Sequence, residues 1–595
     1  MIKLDFNLTK ELMDAAAGKI TIDTVIKNGN IVDVITKNIY PGGIAIHKGF
    51  IVGVGEVSGY KSKETLDVKG QYLVPGFMDA HMHVEPTLLI PRELAKLLIP
   101  HGVLTLFADT MEIANVFGVK GIELFLKLAD AAPIRILVEL PSRVPTAEGL
   151  ETTGGKLGLD ETKQLLKYPE VISLGELNFQ NLFTNPDFFV KKIIATREAK
   201  KIVNGHAPQL TGKKLNTYIV AGINDDHESI SGTEVIEKLR KGLKIFVREG
   251  STERNLEDIL THIKDKINDF RNIMFCTDDK MANDIEREGH IDYNIRKTIE
   301  LGYDPIVAIQ MATINMATNF RLDDLLGSLS VGRIADILVI NNLEKVDIST
   351  VFYEGSLVYR EGTYLTRDKH VEIPEWALNS VHVNKDITPE DLLIKTDIQK
   401  GKAKVRVIKL IPRQIVNEEL IRELPIEKGF ILPDIEKDII HIAVVDRHKA
   451  TKNIGKGFVN GFGLKRGAIG GTFAHDHHNI ILVGSNHRDM YKAIKVLEKM
   501  KGGFVVIADN EVIESLQLRL AGLLSLDEAE KVSQKLEKIN DAARGLGCTL
   551  EAPFMQLQFV SLPSVPKFGI TDRGLIDSLE YRIINPVIET KAWKN

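Results

Sequence analysis

The sequence predicts an α/β protein whose central part is a (β/α)8, TIM-like barrel, and three observations point there. Apolar strand-like runs alternate with helical stretches through the middle of the chain: VLTLFAD, IRILVELP, VISLGELN, KIVNGHA, YIVAGIND, GLKIFVREG and NIMFCTDD. Gaps of roughly ten to twenty-five residues between such runs are the mark of repeated βα units and a parallel sheet. About 250 residues holding some eight of these units match the size of one barrel. Polar, potentially reactive residues fall where the runs end, which is the C-terminal rim on which such barrels carry their chemistry.

Taken in order, MIKLDFNLTKELMDAAAGK at the start reads as an amphipathic helix. From Thr24 to Gly76 short alternating apolar runs are broken by glycine, and the same grammar returns from Gly327 to Gly362. These are small antiparallel strands with tight turns. They predict a flanking β-rich domain, a small sandwich, built from both sides of the barrel: residues 1–72 and 320–380, with the barrel itself at 73–319. Beyond the polar, Pro-containing stretch VEIPEWALNSVHVNKDITPED, strands (AKVRVIKLIP, IIHIAVVDRH) and helices (HRDMYKAIKVLEKM, LDEAEKVSQKLEKINDAARGLG) mix without barrel spacing. They predict a separate α+β domain over 385–595. No internal repeat or low-complexity tract is evident.

Bulk composition narrows the function. At 595 residues the chain exceeds one core and calls for two to four domains. Hydrophobic content of 44% and charged content of 26% are those of a globular protein in water. A formal net charge of -5 gives no basic footprint, so no nucleic-acid partner is expected. Two cysteines, Cys276 and Cys548, cannot form a disulfide framework and point to a reducing compartment. There is no signal-peptide pattern and no run long enough to span a membrane, so the expected location is cytoplasmic, with no membrane partner.

The chemistry begins at His81-Met82-His83, at the end of an apolar run. Two histidines two apart on a strand point the same way and present two imidazoles to one point, which suits a metal ion. Glu176 in SLGELN, His206 in VNGHAP, His227 in NDDHES and Asp278 in FCTDD each follow a strand-like run and would project over the same rim. Two metal ions about 3.5–4 Å apart need roughly this set of imidazoles plus one bridging carboxylate. Glu176 is the natural bridge, and Asp278 could touch a metal and accept a proton from a metal-bound water. Glu85, two residues past His83, and Glu228, beside His227, are candidate acids or substrate contacts.

Other residues read more plainly. Asp109 and Glu112 are either partners behind the ligands or the N-cap of helix EIANVFG, the cap being the reading favoured by position. Arg248 and Glu249 should pair with other protein groups, His101 should end a helix, and Cys276 should sit in the barrel core. The cluster His475-Asp476-His477-His478-Asn479 could be a lid over the barrel mouth, an accessory metal site or an interface loop; lid or interface is the expectation.

PGFMDAHMH, then GHA, DDHE and TDD, then SVGRIADILVI, resemble the amidohydrolase superfamily. HVEPT, MEIANVFG, NGHAPQLTGKKLNTYIVAGINDDHE, VREGS, EGHID and above all AHDHHNIILVG resemble, within it, the adenine deaminase family. The resemblance spans nearly the whole chain. It implies a binuclear divalent centre held by His81, His83, His206, His227 and Asp278, with Glu176 in the place many relatives fill with a carboxylated lysine. It implies Mn²⁺ as the metal, with Fe²⁺ or Zn²⁺ as alternatives, adenine as small-molecule substrate, hydrolytic deamination to hypoxanthine and ammonia by a metal-bound hydroxide in purine salvage, and a homodimer. The chain departs from the family pattern at HVEPT, where HIESS is usual, and at Met111, where a histidine is usual. Two rivals stand beside this reading: another cyclic-amide or nucleobase amidohydrolase, and a non-catalytic interaction protein on the same scaffold.

Overall fold

The computed structural model describes residues 4–366, 369–411, 416–564 and 567–593. Eight strands of the middle region are numbered here in chain order: β1 (Phe77–His83), β2 (Val103–Asp109), β3 (Arg135–Pro141), β4 (Val171–Asn178), β5 (Ile202–His206), β6 (Asp225–Asp226), β7 (Lys244–Arg248) and β8 (Ile273–Cys276). The first five form one parallel sheet in sequential order, and β6–β8 form a second parallel sheet of three. Backbone hydrogen bonds reach across both seams. Asn224 N donates to Val203 O at 2.9 Å beside β5 and β6, and Asp278 N donates to His81 O at 3.1 Å between the end of β8 and β1.

These strands form where the sequence is apolar on both faces. Every residue of VLTLFAD in β2 is buried, as is every residue of β1 and β3. A parallel sheet covered by helices demands this pattern, in place of the polar–apolar alternation of a half-exposed strand. One expectation fails: in YIVAGIND, Tyr218 to Ala221 belong to the helix Gly212–Ala221, and the strand is only Asp225–Asp226. Tyr218 is buried while Val220 is exposed, a helical rather than a strand pattern, and four apolar residues in a row could not tell the two apart.

The glycine-broken strands on either side of this region join one nine-stranded sheet, in which Tyr72–Pro75 pairs with Ile22–Asp33 on one edge and Ile337–Ile340 on the other. The N-terminal helix runs from Phe6 to Ala16 and packs on this sheet. Toward the C-terminus a ten-stranded, mainly antiparallel sheet carries the helices His487–Met500 and Ala529–Gly545. The apolar core is continuous between the parallel strands and this region, taking in Phe107 and Phe246 on one side and Phe473 and Phe554 on the other. Among the described residues no helix is long and apolar enough to cross a membrane.

Candidate metal centre

His81 and His83 leave one face of β1, and each is held from behind by a carboxylate. Glu139 Oε2, in β3, lies 2.5 Å from His81 Nδ1, and Glu112 Oε1 lies 3.1 Å from His83 Nδ1. A partner on Nδ1 fixes the ring and aims Nε2 at the common centre. His83 Nε2 meets Glu176 Oε1 at 2.6 Å, and His81 Nε2 stands 3.6 Å from the same oxygen. The other oxygen of Glu176 is 3.1 Å from His206 Nδ1 and accepts from Arg143 at 2.8 Å. Asp278 Oδ1 is 3.5 Å from His83 Nε2 and 3.7 Å from His81 Nε2, while Oδ2 accepts from Arg248 at 2.8 Å. Arg248 also clasps Glu228.

The backbone is bent to achieve this. Glu176 has φ +29° and Asp278 φ +58°, left-handed conformations that cost a side-chain-bearing residue on the order of 1–3 kcal/mol each. Contacts at both places hold the bend. A Cβ on Gly175 would lie 2.1 Å from Asp109 Oδ2, so glycine leaves room for the Asp109 carboxylate to lie against β4. Asp278 is clamped to β1 on both sides, since His83 N donates to Asp278 O at 3.1 Å. His206 is steadied by Tyr218, whose hydroxyl accepts from His206 N at 2.8 Å and donates to Leu177 O. His227 stacks on His81 with ring centres 4.1 Å apart. Beneath it, the fully buried Lys238 ammonium donates to Ala207 O at 2.7 Å, Asp226 at 2.8 Å, Ser229 at 3.0 Å and Glu234 at 2.6 Å.

Electrostatics favour positive charge at this point. Burial alone would raise the Glu176 carboxyl, but Arg143 and three imidazoles outweigh it and hold it well below the usual range. Burial would likewise raise Asp278, but Arg248 and the imidazoles keep it ionised. Burial favours neutral rings at His81 and His83, yet Glu139 beside the first and Glu112 beside the second draw both well above the ordinary histidine value. His227, buried beside His81, is pushed well below it and stays neutral.

The donor set fits a divalent pair. His81 Nε2, His206 Nε2 and His227 Nδ1 are buried without a hydrogen-bond partner, which native interiors rarely tolerate. Ligand atoms of His81, His83 and Glu176 lie within 4.8 Å of one another, as do those of Glu176, His206 and His227, and those of His81, His227 and Asp278. His81, His227 and Glu176 each belong to two of these trios, so the three form one connected cluster, and Glu176 is the carboxylate among the shared members.

All six expected ligands therefore converge, and Glu228 faces the cavity above them. Glu85 does not: fully buried, it accepts from Ile113 N at 3.2 Å and is absent from the cavity wall. The cap reading of Glu112 is overturned. Helix Met111–Phe117 starts at Thr110 without a side-chain cap, and Glu112 turns back onto His83. Arg248 pairs with Glu228 and Asp278, Glu249 with Lys297 at 2.9 Å, and His101 with Asp292 at 3.0 Å. Cys276 is buried in β8.

Sequence reasoning missed Glu139 and Arg143. Glu139 follows an apolar run in LVELP as Glu176 does in SLGELN, and that signal was available. His475 and Asp476, from the segment expected as a lid or interface, line the cavity's other wall with Phe559, Leu562 and Ser564, which the sequence did not single out; all five come from the C-terminal region. Phe559 stacks on His475 at 5.0 Å, and Asp476 accepts from Thr146 Oγ1 at 2.7 Å.

Residues 72–358, which contain all six clustered residues, match the amidohydrolase family model, and residues 414–581 match the model of the adenine deaminase C-terminal domain. The chain is 45% identical to an adenine deaminase of Desulforamulus reducens over 98% of its own length and 99% of that protein's. It is 40% identical to an adenine deaminase of Dehalococcoides mccartyi over 96% of this chain and 98% of that one, and 39% identical to one from Staphylothermus marinus over 96% of each. The chain belongs to the adenine deaminase family. In this family member the cavity is thus composite: its floor comes from the amidohydrolase segment, and its ceiling from the segment that matches the adenine deaminase C-terminal domain.

Proposed function

We propose that the protein hydrolyses adenine to hypoxanthine and ammonia at this cavity. The convergence of His81, His83, Glu176, His206, His227 and Asp278 beneath a ceiling from the C-terminal region carries the reading. His81, His83, His206 and His227 would hold two divalent ions, with Glu176 bridging and Asp278 as the sixth ligand. A bound divalent pair would bring the pKa of water from 15.7 to about 7 and so supply a nucleophile at neutral pH.

The side chains do the rest. Arg143 donates to Glu176 and fixes the orientation of the carboxylate that would bridge the ions. Asp278, kept ionised by Arg248, takes a proton from the attacking water and passes it to the ring or to the departing ammonia. Glu228, also anchored on Arg248, faces the cavity and can receive a purine N–H or hold that proton. Phe559 and Leu562 offer the flat base an apolar wall and shut out bulk water. Glu85 is proposed as a positioning residue for the backbone at Ile113, not as a substrate contact.

The finer architecture belongs to the same reading. We take β1–β8 as one closed (β/α)8 barrel over residues 73–319, supported by the hydrogen bonds at both seams, flanked by a β-rich unit of 1–72 and 320–380 and an α+β unit of 385–595. Manganese as metal, a homodimer, a cytoplasmic location and a place in purine salvage rest on the family resemblance. Asp278→Asn tests the proton path: metal content should stay near wild type while ammonia release from adenine disappears. Turnover retained in that variant would remove Asp278 from the mechanism.

A further inference from the structure

A second group of metal-ligating side chains stands beside the first and shares with it only Glu112, which also backs His83. Ligand atoms of Glu112, His475 and His478 lie within 4.8 Å of one another, and all three residues are buried, with 2%, 5% and 0% of their surface exposed. His475 Nδ1 is 3.8 Å from Glu112 Oε1. His475 Nε2 and both ring nitrogens of His478 have no hydrogen-bond partner. One nitrogen of a neutral imidazole carries a proton and the other a lone pair, and leaving both unmet inside a protein forfeits the hydrogen bonds that water gives them.

Several backbone groups around the idle rings are engaged. His475 N donates to Gln558 O at 3.1 Å, His478 N to Ala474 O at 2.6 Å, and Ser561 Oγ to His475 O at 2.8 Å. Arg447 Nε donates to His478 O. His478 itself is held at φ +51°, a left-handed conformation that a residue with a side chain adopts only when its surroundings force it. The segment thus places two imidazoles beside one carboxylate.

We propose that Glu112, His475 and His478 form a third divalent-metal site, separate from the pair held by Glu176, that fastens the C-terminal segment to the amidohydrolase region. Two imidazoles and one carboxylate with open positions suit a borderline ion such as Zn²⁺ or Fe²⁺. Glu112 can serve both neighbours, because a carboxylate has about four acceptor positions and His83 Nδ1 uses one.

The test is metal stoichiometry on the full chain, stripped with chelator, reloaded with Zn²⁺ and desalted, for wild type, His478→Ala and His478→Gln. Three equivalents in wild type and two in both variants are expected, with a third anomalous-scattering peak between Glu112, His475 and His478 in wild-type crystals. Two equivalents in wild type, or three in the variants, would overturn the proposal. Ammonia release from adenine, measured on the same samples, reports on the proposed function separately, so either reading can fall without the other.

Discussion

Glu139→Gln isolates what a carboxylate behind a ligand does. Glu139 is completely buried; Oε2 lies 2.5 Å from His81 Nδ1, and Oε1 has no partner. Burial pushes its carboxyl up to about 7, against the opposing pull of His81. Glutamine keeps the volume and can still accept from Nδ1–H, so the variant loses the charge that raises the basicity of His81 and little else. Substitutions behind a metal ligand typically weaken metal binding 10–100-fold, about 1.4–2.7 kcal/mol at 1.36 kcal/mol per decade. Competition of the stripped protein against a chromophoric chelator measures this directly. A circular-dichroism spectrum matching wild type shows that the fold is intact. An affinity within twofold of wild type would refute the argument that Glu139 tunes the site through His81.

Three further outcomes follow from the geometry. Lys238→Met strands the buried Asp226 carboxylate without its cation and should lower stability to denaturant by about 3–5 kcal/mol, with no change beyond about 1 kcal/mol counting against that network. Burial raises the Glu151 carboxyl to about 8, above its value of about 4.5 in the unfolded chain. The native state then holds a proton that the unfolded state has released, so stability is full below pH 4.5 and is lost as pH rises to 8, by at most about 4–5 kcal/mol. Glu151→Gln should flatten that slope, and an unchanged denaturation profile between pH 5 and 8 would remove Glu151 as its source. Phe559→Ala should raise KM for adenine about threefold to tenfold with a smaller effect on kcat, as expected for a lost stacking wall; unchanged steady-state kinetics would place the purine elsewhere.

Much of this was legible in the sequence, for definable reasons. β2 is VLTLFAD to the residue, because a strand buried on both faces must be apolar throughout and stops where polarity begins. Strand ends also marked the six clustered residues, since a parallel sheet delivers all its C-terminal ends to one side. What was hidden depends on contacts remote in sequence. Arg143 reaches Glu176 across 33 residues, and Glu112 turns back 29 residues to His83, which no local cap pattern reveals. The segment 475–479 is expected from sequence as a lid or interface, but that His475 nears Glu112 and Asp476 accepts from Thr146 depends on contacts more than 300 residues apart in the chain. YIVA was misread because four apolar residues have no period of their own.

The most direct measurement is ammonia release by the purified, Mn²⁺-loaded protein from adenine, with guanine, adenosine and hydantoin as controls. The account predicts rapid release from adenine alone. No release from adenine with metal demonstrably bound, or faster release from a control, would contradict it.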